Sequence, residues 1–274
     1  MFEKSGNPAL NYGGFDSAIT DARSGLMSYT GVAVALCVLF GTFGLSFAYS
    51  WNQSTIGLAE SWSAAQTAAQ TSGEVVDHVP IPPNVYPLAI GGSLVGFVLA
   101  LIIIFNPATA PYLSFLYSGC QGLALGAISA GAEAQYPGIT PQAVGITFAT
   151  FGGMLALYVT GILRATPGLF RFVMASMFGI LGLYFFDIIF SLFGNAPLEI
   201  VHGNSTGSIL VSLFIVGIAA LNFTLDFGTI EEQVESKSNP QYMNWYGAFS
   251  LMVTFVWLYL EILRLLMKAR SKND

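Results

Sequence analysis

The chain has 274 residues, of which 54% are hydrophobic and only 9% charged, with a net charge of −6 and a mean hydropathy of +0.66. A soluble domain carries roughly a quarter charged residues to face water, so nine Lys and Arg with fifteen Asp and Glu exclude a soluble enzyme, and the acidic balance excludes a nucleic-acid binder. An all-α integral membrane bundle remains, in keeping with twenty-two Phe and thirty Gly, since Gly lets transmembrane helices pack closely.

Residues 1–25 form a polar tail of mixed charge, MFEKSGNPALNYGGFDSAITDARSG. No apolar core precedes a small-residue cleavage site, so the tail does not read as a signal peptide and the first apolar run is expected to stay as an anchor. A crossing needs about 20 apolar residues. Seven segments qualify: Leu26–Trp51, Tyr86–Phe105, Pro111–Ala132, Gln142–Leu163, Leu169–Phe193, Ser208–Asp226 and Trp245–Met267. They make 26–267 the membrane domain and 268–274 a basic tail. The connections NPATAP, EAQYPGITP and RATPG are short, so their flanking spans run antiparallel. Two connections are longer: an Ala/Ser/Thr/Gln-rich loop from Asn52 to Val85, and a charged stretch from Phe227 to Asn244.

Lys and Arg set the orientation. Lys4 and Arg23 precede span one, Arg164 and Arg171 follow span four, and Lys237 follows span six, whereas the loops after spans one, three and five contain neither residue. The N-terminus is therefore expected in the cytoplasm, and seven crossings place the C-terminus outside, against the charge of Lys268, Arg270 and Lys272. Gly92/Gly96 and Gly122/Gly126 each put small residues on one helix face, read first as packing and second as a hinge or pore lining. Cys37 and Cys120 sit in apolar runs and show no disulfide or metal spacing.

Ionisable groups at membrane depth carry the sharpest signal, because each costs about 2.5–3.5 kcal/mol on insertion scales unless paired or hydrated. Asp187 lies inside span five with no opposite charge in that span, and Asp226 ends span six near the inner interface. Glu261 and Arg264 stand three residues apart in span seven, on one helix face. Counting along the spans puts Asp187, Glu261 and Arg264 in an outer layer, where they are expected to cluster, and leaves Asp226 in an inner layer without a basic partner. The plainer readings are a structural Glu261–Arg264 pair, an Asp226 that caps its helix in headgroup water, and an Asp187 tolerated in neutral form. Gln121 is placed to bond a neighbouring helix, Glu133 to face water after span three, and Glu231, Glu232 and Glu235 to extend span six or collect cations. His78 and His202 fall in outer loops without metal-ligand spacing. No nucleophile motif, phosphate-binding loop or HExxH pattern occurs, so the chain is not expected to be an enzyme.

Three segments, LYSGCQGLALGAISAGAEAQYPGI, ALNFTLDFGTIEE and MNWYGAFSLMVTFVWLYLEILRLL, with the N-terminal SGNPAL, resemble the Bax-inhibitor-like family, the transmembrane Bax-inhibitor-motif group, in its bacterial branch. The resemblance covers most of the chain. It implies six helices around a central C-terminal seventh, a bacterial plasma membrane, and a pH-sensitive Ca²⁺ leak controlled by an aspartate pair on the last two spans. The span-six aspartate maps to Asp226, but the span-seven aspartate falls on Thr254, a hydroxyl that cannot share a proton as a second carboxyl would. The family's frequent acid in span three reads Gln121, and the basic residue near the inner end of span two is missing from IIIFNPATAP.

The leading expectation is a pH-modulated cation (Ca²⁺) leak channel with Asp226 as its acidic element. Asp226 with Thr254, carbonyls and water would hold Ca²⁺ only weakly, since tight sites use six to eight oxygens with several carboxylates; no other cofactor is expected. Two alternatives are a proton-coupled transporter that uses Asp187 and Glu261, and a non-conducting protein that binds a membrane partner.

Overall fold

The structure, a computed structural model, describes residues 25–72, 85–193 and 198–272. Among these, seven helices are long and apolar enough to cross a membrane. Their α-helical parts are α1 (Tyr29–Ser72), α2 (Gly92–Phe105), α3 (Ala110–Gln135), α4 (Ile139–Val159), α5 (Pro167–Leu192), α6 (Thr206–Glu235) and α7 (Met243–Ser271), the second span starting at Pro87 and the third at Pro107. A π-helical turn, Pro87–Gly91, leads into α2, and a single helical turn, Glu199–His202, precedes α6.

Local sequence explains the boundaries. Asn106 stands before Pro107 in an extended conformation, as a residue before proline must, and α2 stops there. Gly138 has φ +83°, a backbone few other residues adopt, and turns the chain between α3 and α4. Thr166 and Ser205 cap α5 and α6 by accepting from the amides of Leu169 at 3.2 Å and Ser208 at 3.3 Å.

The core is organised on α7, whose apolar window is the most buried of the seven at 61%. α1, α3, α4 and α6 pack directly on it; α2 packs chiefly on α3, and α5 on α6. Four of the six other helices thus pack on α7, whereas α2 and α5 lean mainly on α3 and α6. Phe255 of α7 is the hub of an aromatic layer, with ring centroids 4.8 Å from Phe40 and 4.9 Å from Phe148. Rings at this spacing add contact energy to their burial. α1 and α7 begin at the same end, since Met27 donates its amide to Asn239 at 3.0 Å and Ser28 donates its amide to Asn244 Oδ1 at 2.9 Å. This end is called the near end below, and the other, where α7 finishes, the far end.

The expectation that the glycine pairs serve packing agrees with their contacts. A β-carbon on Gly122 or Gly126 would lie 2.5 Å from the carbonyl oxygen of Phe43 or Phe47 on α1. Gly92 and Gly96 face Cys120 and Gln121 of α3 in the same manner. The close approach lets Ser50 and Ser118 bond across it, to the carbonyls of Leu123 and Leu39, both at 2.6 Å. Large side chains on the outer faces, such as Phe97, Phe178, Phe185 and Ile188, stay exposed, as they must where the solvent is lipid.

Three boundaries differ from the sequence reading. The segment after Trp51 is helical as far as Ser72 rather than a loop, because its Ala, Gln and Glu residues are good helix formers. α6 does not end at Asp226 but runs nine residues further to Glu235, and its charged last turns take it out of the apolar layer without breaking the helix. The basic tail that was expected to start at 268 belongs to α7 up to Ser271. Lys4, Arg23 and His78 lie outside the described residues.

Candidate functional site

Asp226 is partly buried against α7, and three neutral groups grip its carboxylate. Ser250 Oγ donates to Oδ1 at 2.8 Å, Thr254 Oγ1 donates to Oδ2 at 2.6 Å, and Asn222 Nδ2 reaches Oδ2 at 3.4 Å and Thr254 Oγ1 at 2.9 Å. Ser250 and Thr254 stand one helical turn apart, so α7 presents both hydroxyls on one face. No cation pairs with Asp226 among the described residues, in line with the sequence. The expected capping role does not apply: Asp226 is inside α6, and its two shortest contacts are to hydroxyls of α7. Thr254, found through the family alignment, is its nearest partner.

At the far end of the same interface, the sequence places Glu261 and Arg264 in one layer with Asp187. The first two pair as expected: Arg264 Nη1 lies 3.0 and 3.1 Å from the Glu261 carboxylate oxygens. Tyr184 of α5 completes the group by donating to Glu261 Oε1 at 2.8 Å and accepting from Arg264. The Arg264 guanidinium also lies 5.2 Å from the Tyr184 ring centre, within cation–π range.

Asp187 does not join this group. Its Oδ2 lies 2.7 Å from His202 Nε2, and its Oδ1 accepts the Leu198 amide at 2.8 Å. Both partners come from the short segment before α6: Leu198 starts and His202 ends a single helical turn that lies against the end of α5. So Asp187 is neither unpartnered nor part of an Asp187–Arg264–Glu261 cluster, and His202 is not an isolated loop residue. The packed side of α5 explains the burial of Asp187: Val173, Ile180 and Asp187 recur every seventh residue and are its buried positions.

One functional-looking residue lies where only a basic tail was expected. Lys268 is 6% exposed, and its Nζ donates to Ser208 Oγ and Ser212 Oγ of α6, both at 2.8 Å. A signal existed, because Glu261, Arg264 and Lys268 continue one face of a helix, and Ser208 and Ser212 are one turn apart. Ser129 and Tyr259 make a second unforeseen pair, at 2.6 Å between buried hydroxyls.

The remaining candidates have structural partners. Glu133 belongs to α3 instead of following it, and its carboxylate caps α4 by accepting from the amides of Gly138 at 2.5 Å and Thr140 at 2.9 Å. Gln121 packs on Gly96 of α2. Glu231, Glu232 and Glu235 form the expected helical extension of α6 and line a cavity of about 830 Å³ at the near end, opposite Arg164 and Arg171. That cavity reaches α6 at Leu225, Gly228 and Thr229, the neighbours of Asp226. Glu231 also accepts from the Tyr158 hydroxyl. Among the described residues no three His, Cys, Asp or Glu side chains gather in a way that would hold a metal ion.

Comparisons with known proteins place this arrangement. No curated protein and no solved structure matches the chain. The family model described as Bax inhibitor 1 like matches residues 7–271, nearly the whole length. The Asp226 layer between α6 and α7 and the seven spans are thus features of a member of the Bax inhibitor 1-like family, to which this chain belongs.

Proposed function

We propose that the chain is a pH-modulated cation leak channel, non-enzymatic, with Ca²⁺ as a permeant ion and Asp226 as the acidic element of the pathway. The observation that carries this reading is a carboxylate within a membrane helix held only by neutral donors. Such a charge is costly in a bilayer; the neutral donors lower that cost, but no cation among the described residues neutralises the charge. A passing cation would do so. Asp226, Ser250, Thr254 and Asn222 offer fewer oxygens than the six to eight that Ca²⁺ prefers, so water must complete the shell and exchange is fast, as conduction requires. The near-end cavity, with its three glutamates, is the approach for the ion. The cytoplasmic placing of the N-terminus follows from the Arg and Lys residues at the near end, and a bacterial plasma membrane is the proposed location.

The pH dependence follows from one carboxyl. Ionised Asp226 attracts a cation; a proton removes that charge, and Thr254 has no acid to take its place. Flux is therefore expected above the titration of Asp226 and lost as pH falls through it. Asp187 and Glu261, the alternative carriers for proton-coupled transport, are engaged by His202 and by Arg264 with Tyr184, which leaves the pathway assignment with Asp226. The test is Ca²⁺ flux in proteoliposomes across pH. Asp226→Asn should reduce flux by roughly tenfold, the scale of one charged contact, and remove its pH dependence. Wild-type-like, pH-dependent flux in that variant would exclude the residue; no flux from wild type would favour a non-conducting partner protein.

A further inference from the structure

Lys268 is the most unusual charge in the molecule after Asp226. Two of its three ammonium protons go to Ser208 and Ser212, and the third has no partner among the described residues. No carboxylate pairs with it, although it is more than nine-tenths buried. Its position compounds the cost, because Ser208 lies in the first turn of α6, where the aligned backbone amides already place partial positive charge. The carbonyls that end α7 offset part of this, since Lys268 lies in the last turn of that helix.

Lys268 lines a cavity of about 370 Å³ at the far end. Arg264 and His202 share the lining with Asn204 and Ser271 at one side, and no Asp or Glu is among its lining residues. Arg264 and His202 have their own acids, Glu261 and Asp187, so the uncompensated charge in the cavity is that of Lys268. Apolar residues of the same α7 face, Leu260, Leu263 and Met267, complete the lining. A buried cation with a free proton, beside a guanidinium, an imidazole and a side-chain amide that line the same cavity, forms a receptor for an oxyanion. The apolar lining beside it suits a phosphate that carries a hydrocarbon chain.

We infer that the far-end cavity, lined by α3, the helical turn Glu199–His202 and α7, binds a phosphate-bearing anion on Lys268, either the headgroup of an anionic phospholipid or free phosphate. The site stands at the opposite end of the α6–α7 interface from Asp226 and does not depend on conduction.

The experiment uses the full chain in detergent, with native mass spectrometry and thermal unfolding as readouts. It is titrated with phosphatidylglycerol, with phosphatidylcholine and with inorganic phosphate. Lys268→Met tests the residue, since a side chain of similar length without charge fills the space and is expected to fold. Lys272→Gln, a change to an exposed lysine, controls for loss of surface charge. Binding of phosphatidylglycerol that falls roughly tenfold in Lys268→Met and persists in Lys272→Gln supports the lipid source. The same pattern with inorganic phosphate supports the free ion. Equal binding of phosphatidylglycerol and phosphatidylcholine with no response to phosphate, or anion binding unchanged in Lys268→Met, overturns the inference. If Lys268→Met fails to fold, Lys268→Gln substitutes: it removes the charge but can still bond Ser208 and Ser212, and anion binding unchanged in it would likewise overturn the inference.

Discussion

The two ends of the α6–α7 interface solve one problem with opposite signs. Near one end, an acid on α6 is held by two hydroxyls of α7 spaced four residues apart, Ser250 and Thr254. Near the other, a base on α7 is held by two hydroxyls of α6 with the same spacing, Ser208 and Ser212. Thr254 and Lys268 are fourteen residues apart on α7, as are Ser212 and Asp226 on α6, so the two charges lie about 21 Å apart along antiparallel helices at 1.5 Å per residue. Each hydroxyl contact to a charged group contributes about 1.5–3 kcal/mol, enough for two of them to offset an insertion cost of about 2.5–3.5 kcal/mol. Neither charge needs an opposite charge to be tolerated, and each therefore remains available to an ion from outside. Between them, the Glu261–Arg264–Tyr184 group is closed on itself. The difference between open and closed charges separates candidate ion sites from structural pairs.

The largest effect should come from removing the grip on the acid. Ser250→Ala with Thr254→Ala leaves Asp226 only the 3.4 Å contact to Asn222 and should destabilise the protein by about 3–6 kcal/mol, read as a lower midpoint of thermal unfolding in detergent. The matching change at the base, Ser208→Ala with Ser212→Ala, should cost less, about 1–3 kcal/mol. Lys268 has a long stem and lies in the last turn of α7, so its ammonium can move towards water when the hydroxyls go. Equal losses at the two ends would break this account. Thr254→Asp sharpens it, by placing a second carboxyl at hydrogen-bond distance from Asp226. The two acids should then share a proton, and the pH profile of Ca²⁺ flux should show two steps where the wild type has one. The smallest effect is expected at the far edge. His202→Gln removes an ion pair whose histidine is 53% exposed and should change stability by no more than about 1 kcal/mol, with Ca²⁺ flux unchanged.

Much of this was legible along the chain. The apolar runs gave the count of crossings, and the glycine pairs pointed to the α1–α3 and α2–α3 contacts. Glu261 and Arg264 were readable as a pair because they are close in sequence and share a helix face. Asp226 stood out as an acid without a base, and Thr254 came from the position of an aspartate in the family. What escaped were partners set by the tertiary fold: Asp187 with His202 of the helical turn before α6, and Lys268 with serines 56 and 60 residues away. The helix extents were also underread, since residues 52–72 and 227–235 are polar enough to look like loops yet have no proline and only one glycine each.

The class of the molecule is a one-dimensional quantity. The length of an apolar run against the thickness of a bilayer decides it, so the sequence alone determined it. Which charges are closed and which are open depends on helix rotation and on the register of α6 against α7. Those are fixed by side-chain packing between segments distant in the chain, and only the tertiary structure could show that Asp226 and Lys268 are each held by hydroxyls while Glu261 and Asp187 are held by bases.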